Sequence, residues 1–221
     1  MKKARDRRHI LNIPRFSLLC ATLVIAILLG GCASPYRRGA GKFDTVIIDA
    51  GHGGHDLGGR SVSGSPEKVL ALDTARRLAT ILRSKGFRVI ETRTRDVFIP
   101  LRSRTAISDS TRSCIFVSIH YNWAPRRGAR GIEVYYFSPR SWRLASNILR
   151  QAGHAYPTYN RGVKRNNFHV LHKNRRPAVL CELGFLSNAQ DNRYAQGSLS
   201  RQRLAECVAA GIIAERQSAQ R

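Results

Sequence analysis

The sequence predicts an α/β domain, a three-layer sandwich in which helices flank a mostly parallel central sheet. Two kinds of segment predict it. The short apolar runs Thr45–Asp49, Cys114–Ile119 and Pro177–Cys181 are rich in β-branched residues and read as strands covered on both faces. Between them lie segments whose apolar residues recur at helical spacing, the pattern of parallel strands joined by crossover helices. With 221 residues the chain can bury one real core and gives no sign of two.

The N-terminus stands apart from that domain. Lys2, Lys3, Arg5, Arg7, Arg8 and Arg15 form a basic lead. Phe16–Leu29 follows as an apolar segment shorter than an ordinary membrane span, which makes it an export signal. Leu29-Gly30-Gly31-Cys32 resembles the bacterial lipobox, whose cysteine is lipidated and becomes the first mature residue. An uncleaved anchor with an incidental cysteine is the alternative, and both readings export the domain. Ala33 after the cysteine, where an aspartate would signal inner-membrane retention, leaves the outer membrane as the expected location in a Gram-negative cell. The expected division is a signal peptide at 1–31, a linker at 32–42 beginning with lipidated Cys32, a folded domain at 43–215 and a tail at 216–221.

The chain carries 38 Lys and Arg against 14 Asp and Glu, a formal +24 at pH 7. Without the signal the count is 32 against 13, or +19. An exported protein seldom meets nucleic acid, so anionic envelope polymers and lipid head groups are the expected partners; a merely solvated basic surface is the bland alternative. Cys114, Cys181 and Cys207 lack the spacing of a zinc cluster or a disulfide framework. They read as buried thiols, with one disulfide open to an oxidising compartment.

In order, Thr45–Asp49 is the first strand, and it runs into a glycine loop that interleaves His52, His55 and Asp56. Ser65-Pro66-Glu67 reads as a helix start, with serine at the N-cap and proline at N1. Val69, Leu72, Leu78 and Leu82, with Ala75 and Ala79, give that helix one apolar face up to Ser84, and Lys85-Gly86 ends it. Phe87–Thr92 is a second strand, Leu101–Arg112 an arginine-rich helix, and Cys114–Ile119 a third strand that ends at His120. Ile132–Phe137 reads as a strand, Pro139–His154 as a helix, Arg161–Asn167 as a basic loop and Phe168–Leu171 as a short strand. Pro177–Cys181 is the last strand and ends at Glu182; Ser187-Asn188 opens a helical turn, and Leu199–Glu215 is a closing amphipathic helix.

His52, His120 and Glu182 thus follow three strands, and parallel strands put their carboxyl ends on one edge of a sheet, where α/β proteins place their sites. Glu67 joins them from a helix N-terminus. Two imidazoles and a carboxylate can hold one zinc ion and leave a fourth position open, as a catalytic site needs. Glu182 is then the spare carboxylate, placed to take a proton from the attacking water.

VIIDAGHGG, PEK opening a helix, SIHYN, GIEVYY and AVLCELGFLSN resemble, in order, the motifs of the zinc-dependent N-acetylmuramoyl-L-alanine amidases, the type 3 amidase domain of bacterial cell-wall hydrolases. The likeness spans about Thr45 to Ile213. It implies an α/β sandwich around a mixed sheet, with His52, Glu67 and His120 as zinc ligands and Glu182 as the catalytic glutamate. It also implies peptidoglycan as substrate, cleaved between the lactyl group of N-acetylmuramic acid and L-alanine. Some relatives carry an extra helical segment over the zinc; the interval from His120 to Glu182 shows no surplus, so the site is expected to be accessible with no activator required.

Asp49 and Glu133 are candidate acceptors for the second N–H of the ligating imidazoles, and Asn122 is a candidate for orienting substrate or loop. Simple structural roles are open for all three, and His55 is expected not to ligate. Arg161–Arg165 are candidates to meet stem-peptide carboxylates. Two other activities fit short stretches. Ser65-Pro66-Glu67-Lys68 matches the S-x-x-K motif of penicillin-binding enzymes, without a K-T-G or S-D-N partner. Gly51–Gly59 could be a phosphate cradle, though it is neither G-x-G-x-x-G nor a Walker loop. A peptidoglycan-binding lipoprotein of the same fold without turnover is the remaining alternative.

Overall fold

The protein is described here from a computed structural model, which covers residues 39–62, 64–155 and 157–220. The export signal, Cys32 and the first part of the linker lie outside the described residues. Within them, six strands form one sheet: β1 (Thr45–Ala50), β2 (Arg88–Glu91), β3 (Cys114–Asn122), β4 (Ile132–Tyr136), β5 (Asn160–Arg165) and β6 (Ala178–Phe185). Their spatial order is β2-β1-β3-β6-β4-β5. Helices α1 (Glu67–Ser84), α3 (Trp142–Ala152) and α6 (Ser198–Gln220) pack together on one face; α2 (Leu101–Ser110) and α4 (His169–His172) pack on the other, and α5 (Ala189–Gln196) leads into α6.

Alternation along β1 sorts the core between the two faces. Val46 and Ile48 join the larger cluster beneath α1, α3 and α6, while Ile47 joins Phe116, Val170 and Leu180 beneath α2 and α4. All six residues of β1 are buried, polar Thr45 and Asp49 included, as a strand covered on both faces requires.

β2, β1, β3 and β6 run parallel; β4 pairs antiparallel with β6, and β5 runs parallel to β4. The connection from β3 to β4 is residues 123–131 and contains no helix. A parallel crossover needs a dozen residues or more, so the chain turns back instead. That reversal sets Glu133 directly opposite Glu182.

Several local expectations are corrected. Residues 160–165 form the edge strand β5, where a basic loop was expected; charged side chains are how an exposed edge avoids pairing with another chain. Phe168–Leu171, expected as a strand, enters the helical turn α4, because a run this short has no distinguishing period. His120 and Glu182 lie inside β3 and β6 rather than past their ends, since both strands continue to Asn122 and Phe185. Pro66, not Ser65, caps α1: it is extended (ψ 147°) and bridges Arg60, so the first helical residue is Glu67. α6 continues through Gln220, beyond the expected domain end at 215. Cys114 and Cys181 are buried and, with Cys207, are free thiols.

Candidate active site

β1 delivers the chain to the site edge and the glycine loop then folds back on it. His52 has φ 60°, a left-handed backbone that a non-glycine residue adopts only when its surroundings hold it there. Two buried arginines do so. Arg104 donates from Nη1 to Ala50 O and from Nη2 to His52 O, both at 2.7 Å. Arg93 donates from Nη2 to Gly51 O at 2.7 Å and from Nε to Ala50 O at 3.0 Å. Gly51 leaves room for an imidazole, because a Cβ there would stand 2.4 Å from His120 Cε1. At Gly58 (φ 67°) a Cβ would stand 2.6 Å from Glu67 Oε2.

His52, Glu67 and His120 converge. The Glu67 Oε2 lies 3.0 Å from His52 Nε2, and its Oε1 lies 2.9 Å from His120 Nδ1. The two rings meet edge to face at 4.9 Å between centroids. One ligand atom from each of the three residues lies within 4.8 Å of the others. Two imidazole nitrogens and a carboxylate oxygen, beside an open cavity, form a donor set that fits zinc. Glu67 also accepts from Tyr121 N at 3.0 Å and Gly59 N at 2.9 Å, so its position is fixed by β3 and the glycine loop as well as by its own helix.

The charges support one another. Burial alone would raise the Glu67 carboxyl, but the hydrogen bonds and charge of His120 and His52 hold it below the usual carboxylate range. Burial would lower His52, and Glu67 and Asp56 together raise it instead. Glu182 behaves oppositely. Burial and then the like charges of Glu67 and Glu133 push it well above the ordinary carboxyl range, and its Oε2 is covered with no hydrogen-bond partner among the described residues. All four residues line one cavity of about 490 Å³, with Phe98 and Phe168 on its wall.

The expected imidazole acceptors are corrected. Asp56, not Asp49, meets His52, with both carboxylate oxygens 2.9 Å from Nδ1. Asp49 points to the interior of the sheet, where Arg104 and the hydroxyls of Thr92 and Ser118 each donate to it at 2.7 Å. Glu133 takes Asn122, Tyr135, Arg161 and Lys164, and the nearest imidazole is not among its partners. Arg161 and Lys164, expected to meet substrate carboxylates, are therefore taken up by Glu133. Asn122 holds the following turn, its Oδ1 accepting from Trp123 N at 2.8 Å. His55 lies against the Phe98 ring at 4.2 Å and is outside the ligand cluster. The serine-enzyme reading fails on geometry: Lys68 Nζ is held by Asp96 (2.6 Å) and Gly54 O (2.7 Å), and Ser65 Oγ donates to Gln196.

Arg93, Arg104 and Asp56 were missed by sequence reasoning. Asp56 could have been read as the acid four residues after His52.

A mixed α/β sheet with a His-Glu-His cluster at its edge, and beside it a glutamate oxygen without a partner among the described residues, fits a hydrolase of the amidase type. Residues 46–214 match the Amidase_3 family, described as N-acetylmuramoyl-L-alanine amidase. The chain belongs to that family and is an N-acetylmuramoyl-L-alanine amidase acting on peptidoglycan. It is similar to the uncharacterized protein YqiI of Bacillus subtilis, 35% identical over 192 residues, 85% of this chain and 91% of the relative. It is 34% identical to the probable cell wall amidase LytH of Staphylococcus epidermidis over 77% of this chain, and spans 58% of LytH's length. The solved structure of the N-acetylmuramoyl-L-alanine amidase AmiC2 of Nostoc punctiforme superposes with a TM-score of 0.76 at 34% identity, covering 83% of this chain and all of that one.

Proposed function

We propose that the protein is an exported, lipid-anchored zinc amidase that cleaves the amide between the lactyl group of N-acetylmuramic acid and L-alanine of the stem peptide. The observation that carries this reading is the contrast at the site edge: three ligand-type side chains engage one another, and a fourth carboxylate beside them has a covered oxygen with no partner. His52, Glu67 and His120 would hold one zinc ion per chain. When bound, zinc supplies Lewis-acid polarisation of the scissile carbonyl and lowers the pKa of a water at the same place.

The chain's own residues do the rest. Glu182 accepts the proton of the attacking water and returns it to the departing L-alanine amine; a raised pKa suits a group that must both take and give. Arg93 and Arg104 hold the His52 loop, and Asp56 fixes the His52 ring by its Nδ1. Cys32 would carry the lipid that retains the enzyme at the periplasmic face of the membrane, outer rather than inner in a Gram-negative cell. There it would act in wall remodelling or daughter-cell separation without an obligatory activator and without nucleic acid.

Intact peptidoglycan digested by the domain from Ala33 onward, as isolated, chelated, zinc-restored and as Glu182→Ala, tests the chemistry by mass spectrometry. Free stem peptides beginning at L-alanine, lost on chelation and in the variant, are the expected result. Zinc retained with no product from any form would instead make the protein a wall-binding lipoprotein. Failure of Cys32→Ala to reduce membrane retention would remove the anchor from the proposal.

A further inference from the structure

Exposed basic side chains lie at both ends of the sheet, and those at the strand-start end form a row beside the point where the chain enters the domain. At the edge of the sheet opposite the site, where β1, β2, β3 and β6 begin and β4 ends, Lys42, Lys85, Arg88, Arg112, Arg140 and Arg175 are all exposed. None of these six side chains has an ion pair among the described residues. They follow one another across the strand order: β2 with Lys85 and Arg88, β1 with Lys42, β3 with Arg112, β6 with Arg175 and β4 with Arg140. Five strands at about 4.8 Å spacing make this row about 19 Å wide. The loops of this edge hold two acids, and both are occupied: Asp44 accepts from Thr45 Oγ1 at 2.8 Å and Asp109 from Arg175 N at 2.8 Å. At the site edge the exposed Arg60, Arg95, Arg126 and Arg127 stand instead among the acids Asp56, Glu67, Asp96, Glu133 and Glu182.

The covalent chain enters the domain at the basic edge. Ala40 N donates to the buried Glu215 carboxylate at 2.7 Å, which pins the entering segment against α6 just before β1. Cys32 precedes Ala40 by eight residues, a reach of at most about 28 Å. β1 then spans its six residues, about 20 Å, to the opposite edge, where His52 stands.

We propose that the row of basic side chains at the strand-start edge docks on the anionic phosphate head groups of a lipid bilayer, so that the amidase cleft on the opposite edge faces away from the membrane toward the wall. The charge argument stands without the lipid; the choice of a bilayer as occupant rests on the anchoring reading above. A flat row of unpaired cations beside the point where the anchored chain enters is placed to meet head groups as soon as the lipid inserts. Each basic residue at an anionic surface strengthens binding about five-fold, and salt weakens it.

Among the described residues the buried core runs from Ala40 to Ile212, so the domain from Gly39 onward retains it and can be used without lipid. Its sedimentation with vesicles of phosphatidylcholine alone and of phosphatidylcholine mixed with phosphatidylglycerol measures the docking. Binding to the mixed vesicles alone, reversed by salt, is expected. Lys42→Gln with Arg88→Gln and Arg112→Gln should weaken it about a hundredfold. Arg150→Gln with Arg193→Gln and Arg203→Gln, an equal charge change away from this edge, should weaken it far less. Amidase activity on soluble muropeptides should be unchanged in both variants. Equal loss in the two variants would show diffuse charge and overturn the proposal, as would binding to purified peptidoglycan but not to phosphatidylglycerol. Acylation of Cys32, followed separately by metabolic lipid labelling, reports on the anchor, so a failed docking face and a failed anchor are told apart.

Discussion

Arg104→Met removes one of the two guanidinium groups on which the hydrogen bonds beneath the site converge, the one that also pairs with buried Asp49. The guanidinium is buried and 2.7 Å from Asp49, itself buried, and it also serves the carbonyls of Ala50, His52 and Ile99. Removing one partner of a buried ion pair costs about 3–5 kcal/mol because the other charge is left without compensation. Here Asp49 keeps the hydroxyls of Thr92 and Ser118, and Ala50 O keeps Arg93 Nε, so the loss belongs near the lower limit, about 3 kcal/mol. With a urea m value of about 2 kcal/mol/M the unfolding midpoint should fall by about 1.5 M. Arg104→Lys keeps the charge but cannot reach two carbonyls and the carboxylate at once, and should lose about half as much. The released His52 backbone should relax from its left-handed conformation, so zinc affinity, measured by competition with a chromogenic chelator, should fall about 10–100-fold. Pairing the change with Asp49→Asn should cost less than the sum of the two, since each alone strands the other's charge. A midpoint within experimental error of wild type, or a large loss of stability with zinc affinity intact, would refute the reasoning.

Four further outcomes are expected. Glu182→Gln should lower kcat about 10²–10⁴-fold with zinc content retained, and should not lower stability, because it removes a carboxylate that burial and like charges disfavour. Gly51→Ala drives a methyl toward the His120 ring and should cost about 1–3 kcal/mol in urea unfolding together with most of the bound zinc. Chelation of the zinc form should lower the unfolding midpoint, by about 2.7 kcal/mol if free zinc had stood at a hundred times its dissociation constant. In the metal-free protein the His52 pKa is raised above its ordinary 6.5. Its contribution is therefore complete below that value and lost as pH rises through the folded pKa. The urea midpoint of metal-free protein should fall as pH rises above about 6.5, and His52→Asn should flatten that slope.

The features legible in the sequence were those set by local pattern. β1, β3 and β6 are buried runs, α1 has one apolar face, and Asn188 caps α5 by accepting from Gln190 N and Asp191 N, as a short polar residue before a helix should. The direction of β4 was not legible, because it follows from the length of the preceding connection and from which gap in the sheet remains for β6. Nor was β5, whose charged residues look like a loop until β4 offers them a partner. At the candidate site, His52, His120 and Glu182 were marked because each is a polar residue after an apolar run, and Glu67 because it opens a helix. The frame beneath them was not, because an arginine in a polar helix carries no local mark that its head group crosses 55 residues of sequence to reach Asp49.

Three glutamates at one sheet edge show how environment rather than residue type assigns work. Glu67 accepts from two imidazoles and two backbone N–H groups, and is held ionised as a ligand must be. Glu133 is buried too, but Arg161, Lys164, Tyr135 and Asn122 keep it below the usual carboxylate range, where it cannot take up a proton near neutrality. Glu182, opposite Glu133 in the register, has no cation beside it and feels both neighbours as repulsion. Reversing β4 is what brings that second negative charge to Glu182, so the strand that breaks the parallel sheet also tunes the proposed proton acceptor. The cations of β5 are bound to the same arrangement: they pair with Glu133 and so allow it to be buried there, while neither pairs with Glu182. One antiparallel strand thus separates a carboxylate that stays charged from one that can exchange a proton.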